Sequence, residues 1–146
     1  MLLVCEALAA LCAALFAGAA VYINVVEHPA RMQCGNRLAV VEFAPSYRRA
    51  TVMQATLAAV GTLGGIGAWL IGAPALWLAG ALLLGVVIPF TLLVILPTNK
   101  RLLDPLLDKD SALAGQLLHR WAKLHAVRSC LSLAALLVFL YSGIWR

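Results

Sequence analysis

The 146-residue chain is 64% apolar and only 12% charged, with a mean hydropathy of +0.97, whereas soluble domains are about 45–50% apolar. This composition excludes an ordinary soluble enzyme. The net charge of +5 does not indicate a nucleic-acid partner, because the basic residues cluster in the gaps between apolar runs, where attraction to anionic lipid head groups accounts for them.

Four apolar runs, residues 2–26, 52–71, 76–96 and 126–143, are each near the ~20 residues a helix needs to cross the hydrocarbon layer. Backbone polar groups in lipid must be satisfied within the segment, so runs of this length are helices. The expected fold is all-α: a single-domain four-helix transmembrane bundle spanning residues 1–146, with short interfacial helical segments on the cytoplasmic side. The spans use up the length and leave no room for a separate aqueous domain.

The first run carries small residues at Ala10, Ala14 and Gly18, a stripe suited to close helix approach. It has no basic segment before it and continues well past Ala17–Ala20, so it reads as a retained helix rather than a cleaved signal. Glu6, near its outer end, reads as structural and reaching the interface. The helix is expected to break at His28, because residues before a proline avoid α geometry and Pro29 follows. Glu27–Tyr47 mixes charges with Met32, Leu38, Val40, Val41 and Phe43, the pattern of a partly helical interfacial segment.

The second run carries Gly61-x-x-x-Gly65, a second packing signal. Gly72-Ala73-Pro74 then makes a tight turn into the third run. There Pro89 removes the hydrogen bond to the Gly85 carbonyl and should kink the helix. Leu102–Leu118 spaces its leucines as an amphipathic helix, with Asp104, Asp108, Lys109 and Asp110 opposite. Asp110-Ser111 offers a cap for a fourth helix beginning at Ala112.

Ten of the eleven basic residues fall on one side of this arrangement. Four lie between the first and second runs, five between the third and fourth, and Arg128 sits just inside the fourth; Arg146 alone is at the far end. The positive-inside rule makes the charged side cytoplasmic and puts both termini and the Gly72–Ala75 turn outside. Cys5, Cys12, Cys34 and Cys130 form no CxxC pair and read as packing residues.

Three polar clusters reach one depth, the cytoplasmic mouth of the bundle. Asn24 and His28 end the first run, Asn99 lies in Pro97–Arg101 at the end of the third, and Trp121, His125 and Arg128 form a single stripe on the fourth. Lys100, Arg101, Lys123, Tyr141 and Trp145 read as interfacial anchors. Arg128 and His125 are different, because ionisable groups within a span are expensive and face the bundle interior or a cavity. Two histidines could bind a metal or serve as acid and base. Neither HxxxH nor HExxH spacing occurs and no carboxylate lies within a turn of His125, so a metal would need ligands from several helices; no metal site is assigned and no cofactor is identified.

The stretch Tyr22–Arg31 resembles the end of the first helix in the anthrone oxygenase-like family. Arg49–Ala55 is similar to that family's entry to the second helix, and Ile88–Thr91, Pro97–Leu102 and Arg120–Arg128 resemble its remaining motifs, in the same order along nearly the whole chain. The resemblance implies a small four-helix membrane protein. It also implies, as for members in polyketide pathways, oxidation of an anthrone-like, phenolic or quinone-like apolar substrate by molecular oxygen. Asn24, His28, Asn99, Trp121, His125 and Arg128 become the functional positions. His125 or His28 would be the base, and Arg128 or Asn99 would stabilise the enolate oxygen, with Asn24 and Trp121 holding the substrate. The alternative is a non-catalytic module whose same residues grip a lipid head group or a partner protein. The partners expected are an apolar small-molecule substrate or a lipid in the membrane, or on the second reading a protein, met by a monomer or an oligomer. The absence of an inverted repeat argues against a transporter.

Overall fold

The computed structural model describes residues 1–145; Arg146, the one basic residue assigned to the far end, lies outside them. Four helices, each long and apolar enough to cross a membrane, make up the protein: α1 (Leu2–Gln33), α2 (Asn36–Leu70), α3 (Leu76–Leu102) and α4 (Ala112–Ile144). Each helix packs against its neighbours in the chain, and α1 also packs against α4, closing a square bundle. No strand occurs among the described residues. Leu63, Leu70 and Leu93 are each about 70% exposed or more. Such side chains on every helix form a lipid-facing belt, and the protein is a multi-pass membrane protein.

The helices run well beyond the apolar runs. Most of the expected Glu27–Tyr47 interfacial segment is the first three turns of α2, and the chain reverses at Cys34–Gly35 rather than at His28. Gly35 turns there with φ 85°, a conformation that favours glycine. The expected break at Pro29 does not occur. Residues Ile23–Glu27 instead form one wide π turn, in which the His28 N–H reaches back to the Ile23 carbonyl. A proline ring clashes with the carbonyl four residues earlier, and widening the preceding turn relieves that clash. The same device recurs in α3, where Thr91–Ile95 form a π turn just before Pro97. Short helical segments, His28–Gln33 and Leu96–Leu102, continue past the two wide turns at the charged end. The helix is also interrupted at Val86, next to the carbonyl that Pro89 leaves without a donor.

The leucine-rich stretch after α3 departs from expectation. Residues 103–111 form turns rather than an amphipathic helix. Asp104 and Asp108 accept from the backbone N–H groups two residues on, at 2.9 and 3.1 Å, and Asx turns of this kind compete with helix. Ser111 then caps α4 as expected, accepting from the Ala114 N–H at 3.2 Å. Asn36 donates to the Ser111 carbonyl at 3.3 Å, so both charged connections meet at one end of the bundle.

Close packing uses different small residues from those expected on α1. Ala9, Ala13, Ala17 and Ala20 are buried, whereas Gly18 is exposed and a Cβ there would meet nothing within 4 Å. On α2 the closest approach to the α1 backbone is at Gly64, where a Cβ would lie 3.0 Å from the Cys5 carbonyl oxygen and 3.1 Å from the Ala9 nitrogen. Gly61 and Gly65 also sit against neighbours, as the motif indicates. Glu6 is buried rather than interfacial.

Two hydrophobic clusters result. One, around Phe16, Trp77, Leu84 and Phe139, fills the half of the bundle holding the termini. The other, around Phe43, Ile95, Leu118 and Trp121, fills the charged end. Along α2 and α4, the polar residues Gln54, His125, Arg128 and Ser129 fall between the two clusters, and Asn24 of α1 reaches the same level through its contacts with His125 and Ser129.

Candidate functional site

His125 is almost wholly buried, and its surroundings select one tautomer. Its Nδ1 lies 2.7 Å from the Asn24 side-chain oxygen. That oxygen can only accept, so Nδ1 carries the proton and donates it. The Asn24 amide is itself oriented, because its nitrogen donates to the Ala122 carbonyl at 3.2 Å. Ser129 Oγ donates to the same Asn24 oxygen at 2.6 Å. The lone pair of His125 is therefore on Nε2, the nitrogen a general base uses. The π turn matters locally, since Asn24 lies inside it.

The imidazole stacks on Trp121, with ring centroids 4.7 Å apart at 29°. Trp121 also meets Phe43 edge-on, with ring centroids 5.3 Å apart. His28 lies 5.5 Å from the Trp121 ring and is buried, with neither ring nitrogen hydrogen-bonded. Trp121 thus has both histidines against its ring. Among the described residues no group of three His, Cys, Asp or Glu side chains converges as a metal centre would require.

Arg128 is placed against neutral partners. Its guanidinium donates to the Gln54 carbonyl oxygen at 2.6 Å and sits over the Phe16 ring, 5.3 Å from the centroid. Its Nε and the Gln54 amide nitrogen make no hydrogen bond, and neither does the buried Asn99 side-chain oxygen. Among the described residues none of the ion pairs involves Arg128. A cation held by an amide and an aromatic face keeps an unmet attraction for negative charge.

Asn99, Trp121, His125, Arg128 and Gln54 line one internal cavity of about 30 Å³. Four of the six residues singled out in the sequence meet there. Asn24 stands behind His125 as its hydrogen-bond partner, and His28 stands beside Trp121. The sequence reading missed Gln54 and Ser129. A glutamine in an apolar run is as costly to bury as the histidine and was an available signal. On the α1–α2 side the cavity is closed by a charged cluster. Buried Arg31 pairs with Glu27 and Glu42, and Ser46 Oγ donates to Glu27 at 2.9 Å.

Residues 43–138 match the family model described as anthrone oxygenase. The chain belongs to the anthrone oxygenase family. No curated protein and no solved structure matches it. The match takes in α3, most of α2 and most of α4, and with them Gln54, Asn99, Trp121, His125 and Arg128. Asn24 and His28 lie on α1, before the matched region. Membership in this family points to oxygenase-type chemistry in a membrane setting.

Proposed function

We propose that the protein is a cofactor-free membrane oxygenase that oxidises an anthrone-like phenolic substrate, with His125 as the base. The observation that carries this reading is the pairing of a tautomer-locked imidazole with a cation lacking an acidic partner on the wall of one cavity. An anthrone has an activated methylene conjugated to its carbonyl. Nε2 of His125 removes a methylene proton, and the electrons move to the carbonyl oxygen as an enolate. Arg128 stabilises that oxygen, with the Asn99 amide beside it, in a site where preorganised charge acts strongly. The rings need more room than the cavity of about 30 Å³ gives, so its α1–α2 side opens to admit them, and Trp121 holds the imidazole that faces them.

The enolate is electron-rich enough to pass an electron to oxygen and recombine with it, forming a carbon–oxygen bond and a peroxide. The peroxide takes the proton back from the imidazolium. Loss of the remaining C–H proton and cleavage of the O–O bond then release water and leave the second carbonyl. One oxygen atom ends in the product and one in water, and the electrons come from the substrate, so the balance needs no flavin or external reductant. Asn24 and His28 act on the base and on Trp121 rather than on the substrate. The same reading puts the site toward the cytoplasmic end of the bundle.

The test is oxygen uptake by purified protein supplied with an anthrone. His125→Ala should lower turnover by a factor of ~10²–10⁴, the usual contribution of a general base, while the helical content is retained. Unchanged uptake in that variant removes His125 as the base. Uptake abolished by a chelator would replace the cofactor-free mechanism with a metal-dependent one.

A further inference from the structure

The cavity beside His125 has room for little more than a water molecule or two. A far larger cleft of about 750 Å³ lies next to it, between α1 and α2, within the usual size range of small-molecule sites. Its walls include Gly18 and Tyr22 of α1 and Pro45 and Met53 of α2. Tyr22 and Met53 are about half exposed, on the lipid-facing surface. Ile23, Glu27, Ser46 and Ala50 line both spaces. The partition between them is therefore one side chain thick, and its polar part is the Ser46–Glu27 hydrogen bond, which joins α2 to α1 and is backed on the cavity side by Arg31, bonded to Glu27, Ser46 and Glu42.

We infer that this cleft is the docking site at which a flat, uncharged, phenol-bearing polycycle enters from the lipid, and that the Ser46–Glu27 contact is the gate between the cleft and His125. The inference rests on the oxygenase reading for what happens beyond the gate. Charge selects the occupant. Glu27 and Glu42 are offset by Arg31 and by exposed Arg49 at the rim, so the cleft presents no net charge. A phosphate head group drawn to Arg49 would also meet two carboxylates there, whereas a phenol hydroxyl can donate to one of them. Shape points the same way. Open space around Gly18 leaves a flat wall on α1.

Gly18→Phe would fill the cleft, and its Cβ enters open space, so the fold should survive. Binding is read by fluorescence of a dihydroxyanthraquinone, a planar phenol that cannot be oxidised further at the reacting carbon. The protein is held in phosphatidylcholine nanodiscs. Gly18→Phe should weaken this binding by roughly tenfold or more, and Leu11→Phe, which puts an exposed phenylalanine two turns away on the same face of α1 but outside the cleft, should not. Unchanged binding in Gly18→Phe overturns the docking site. Displacement of the probe by added phosphatidylglycerol, but not by a second neutral phenol, overturns it in favour of an anionic lipid.

For the gate, Glu27→Cys with Ser46→Cys is compared oxidised and reduced. The cross-linked form should bind the probe and stop oxygen uptake, and reduction should restore uptake. Equal uptake in the two forms overturns the gate. If the pair fails to fold, Ser46→Ala should raise kcat/KM, and a fall overturns the gate. Probe binding without oxygen uptake in any form refutes the oxygenase reading and leaves the docking site standing.

Discussion

Asn24 determines which nitrogen of His125 is basic, although it does not line the cavity. Its oxygen accepts from both His125 and Ser129. Asn24→Leu should therefore cost about 1–3 kcal/mol of stability through stranded donors. It should also lower kcat, because the imidazole loses its fixed tautomer. Asn24→Asp loses the donor to the Ala122 carbonyl but keeps the acceptor for His125, and should retain more activity than Asn24→Leu; equal loss in the two variants, measured by oxygen uptake, would show that the acceptor does not tune the base. Arg128 gives the opposite pattern. Because its partner is an amide, removing both groups leaves nothing stranded, and replacing buried polar pairs with apolar ones is often neutral or stabilising. Arg128→Met with Gln54→Leu should therefore match or exceed the parent in thermal stability while kcat falls ~10²–10³-fold, the cost of losing an oxyanion donor. Lower stability in the double variant would mean that the pair holds the bundle together.

Two features of the helices place these side chains, and both are written in small or cyclic residues. The wide turns at Ile23–Glu27 and Thr91–Ile95 let α1 and α3 pass their prolines without breaking. The sequence contained the prolines, but not whether the strain would be met by a break or by one extra residue in the turn. That choice depends on what the next turn packs against, and here His28, Arg31, Thr98 and Asn99 are buried. The apolar runs marked the membrane-crossing parts of the helices. They could not mark the polar extensions of α2, because Arg37, Glu42, Arg48 and Arg49 are held by helix geometry rather than by hydrophobic periodicity. Gly64 is the corresponding case in packing. The Gly61–Gly65 spacing identified the right face of α2, whereas the nearest approach to the α1 backbone is one residue inside it. Gly64→Leu should destabilise by about 1–3 kcal/mol, as overpacked interfaces do, and Gly18→Leu by much less. A similar thermal shift in both would show that α1 and α2 can separate freely.

At the scale of the whole molecule, the bundle puts its charge at one end and its termini at the other, and the sequence made this legible because alternate gaps hold nearly all the basic residues. The two charged connections touch through Arg37–Asp110 and Asn36–Ser111. Arg37 and Asp110 are both exposed, and an exposed ion pair contributes roughly 0–1 kcal/mol. Arg37→Ala should therefore leave stability almost unchanged, which assigns the exposed basic residues at this end, unlike buried Arg31, to topology rather than to holding the fold. Retention of Lys and Arg on the cytoplasmic face then predicts the orientation. Lys109 lies in the connection between α3 and α4, away from the lipid-facing belt. Lys109→Cys, with Cys34 replaced by serine because it is exposed at the same end, should resist an impermeant thiol reagent in intact cells and react after permeabilisation. A cysteine introduced at Ala75, in the turn between α2 and α3, should do the reverse. Labelling of Lys109→Cys in intact cells would invert the bundle, and the approach to His125 would then lie toward the outer leaflet. The chemistry at Nε2 would be unaffected, but the substrate would have to reach the α1–α2 cleft from outside the cell.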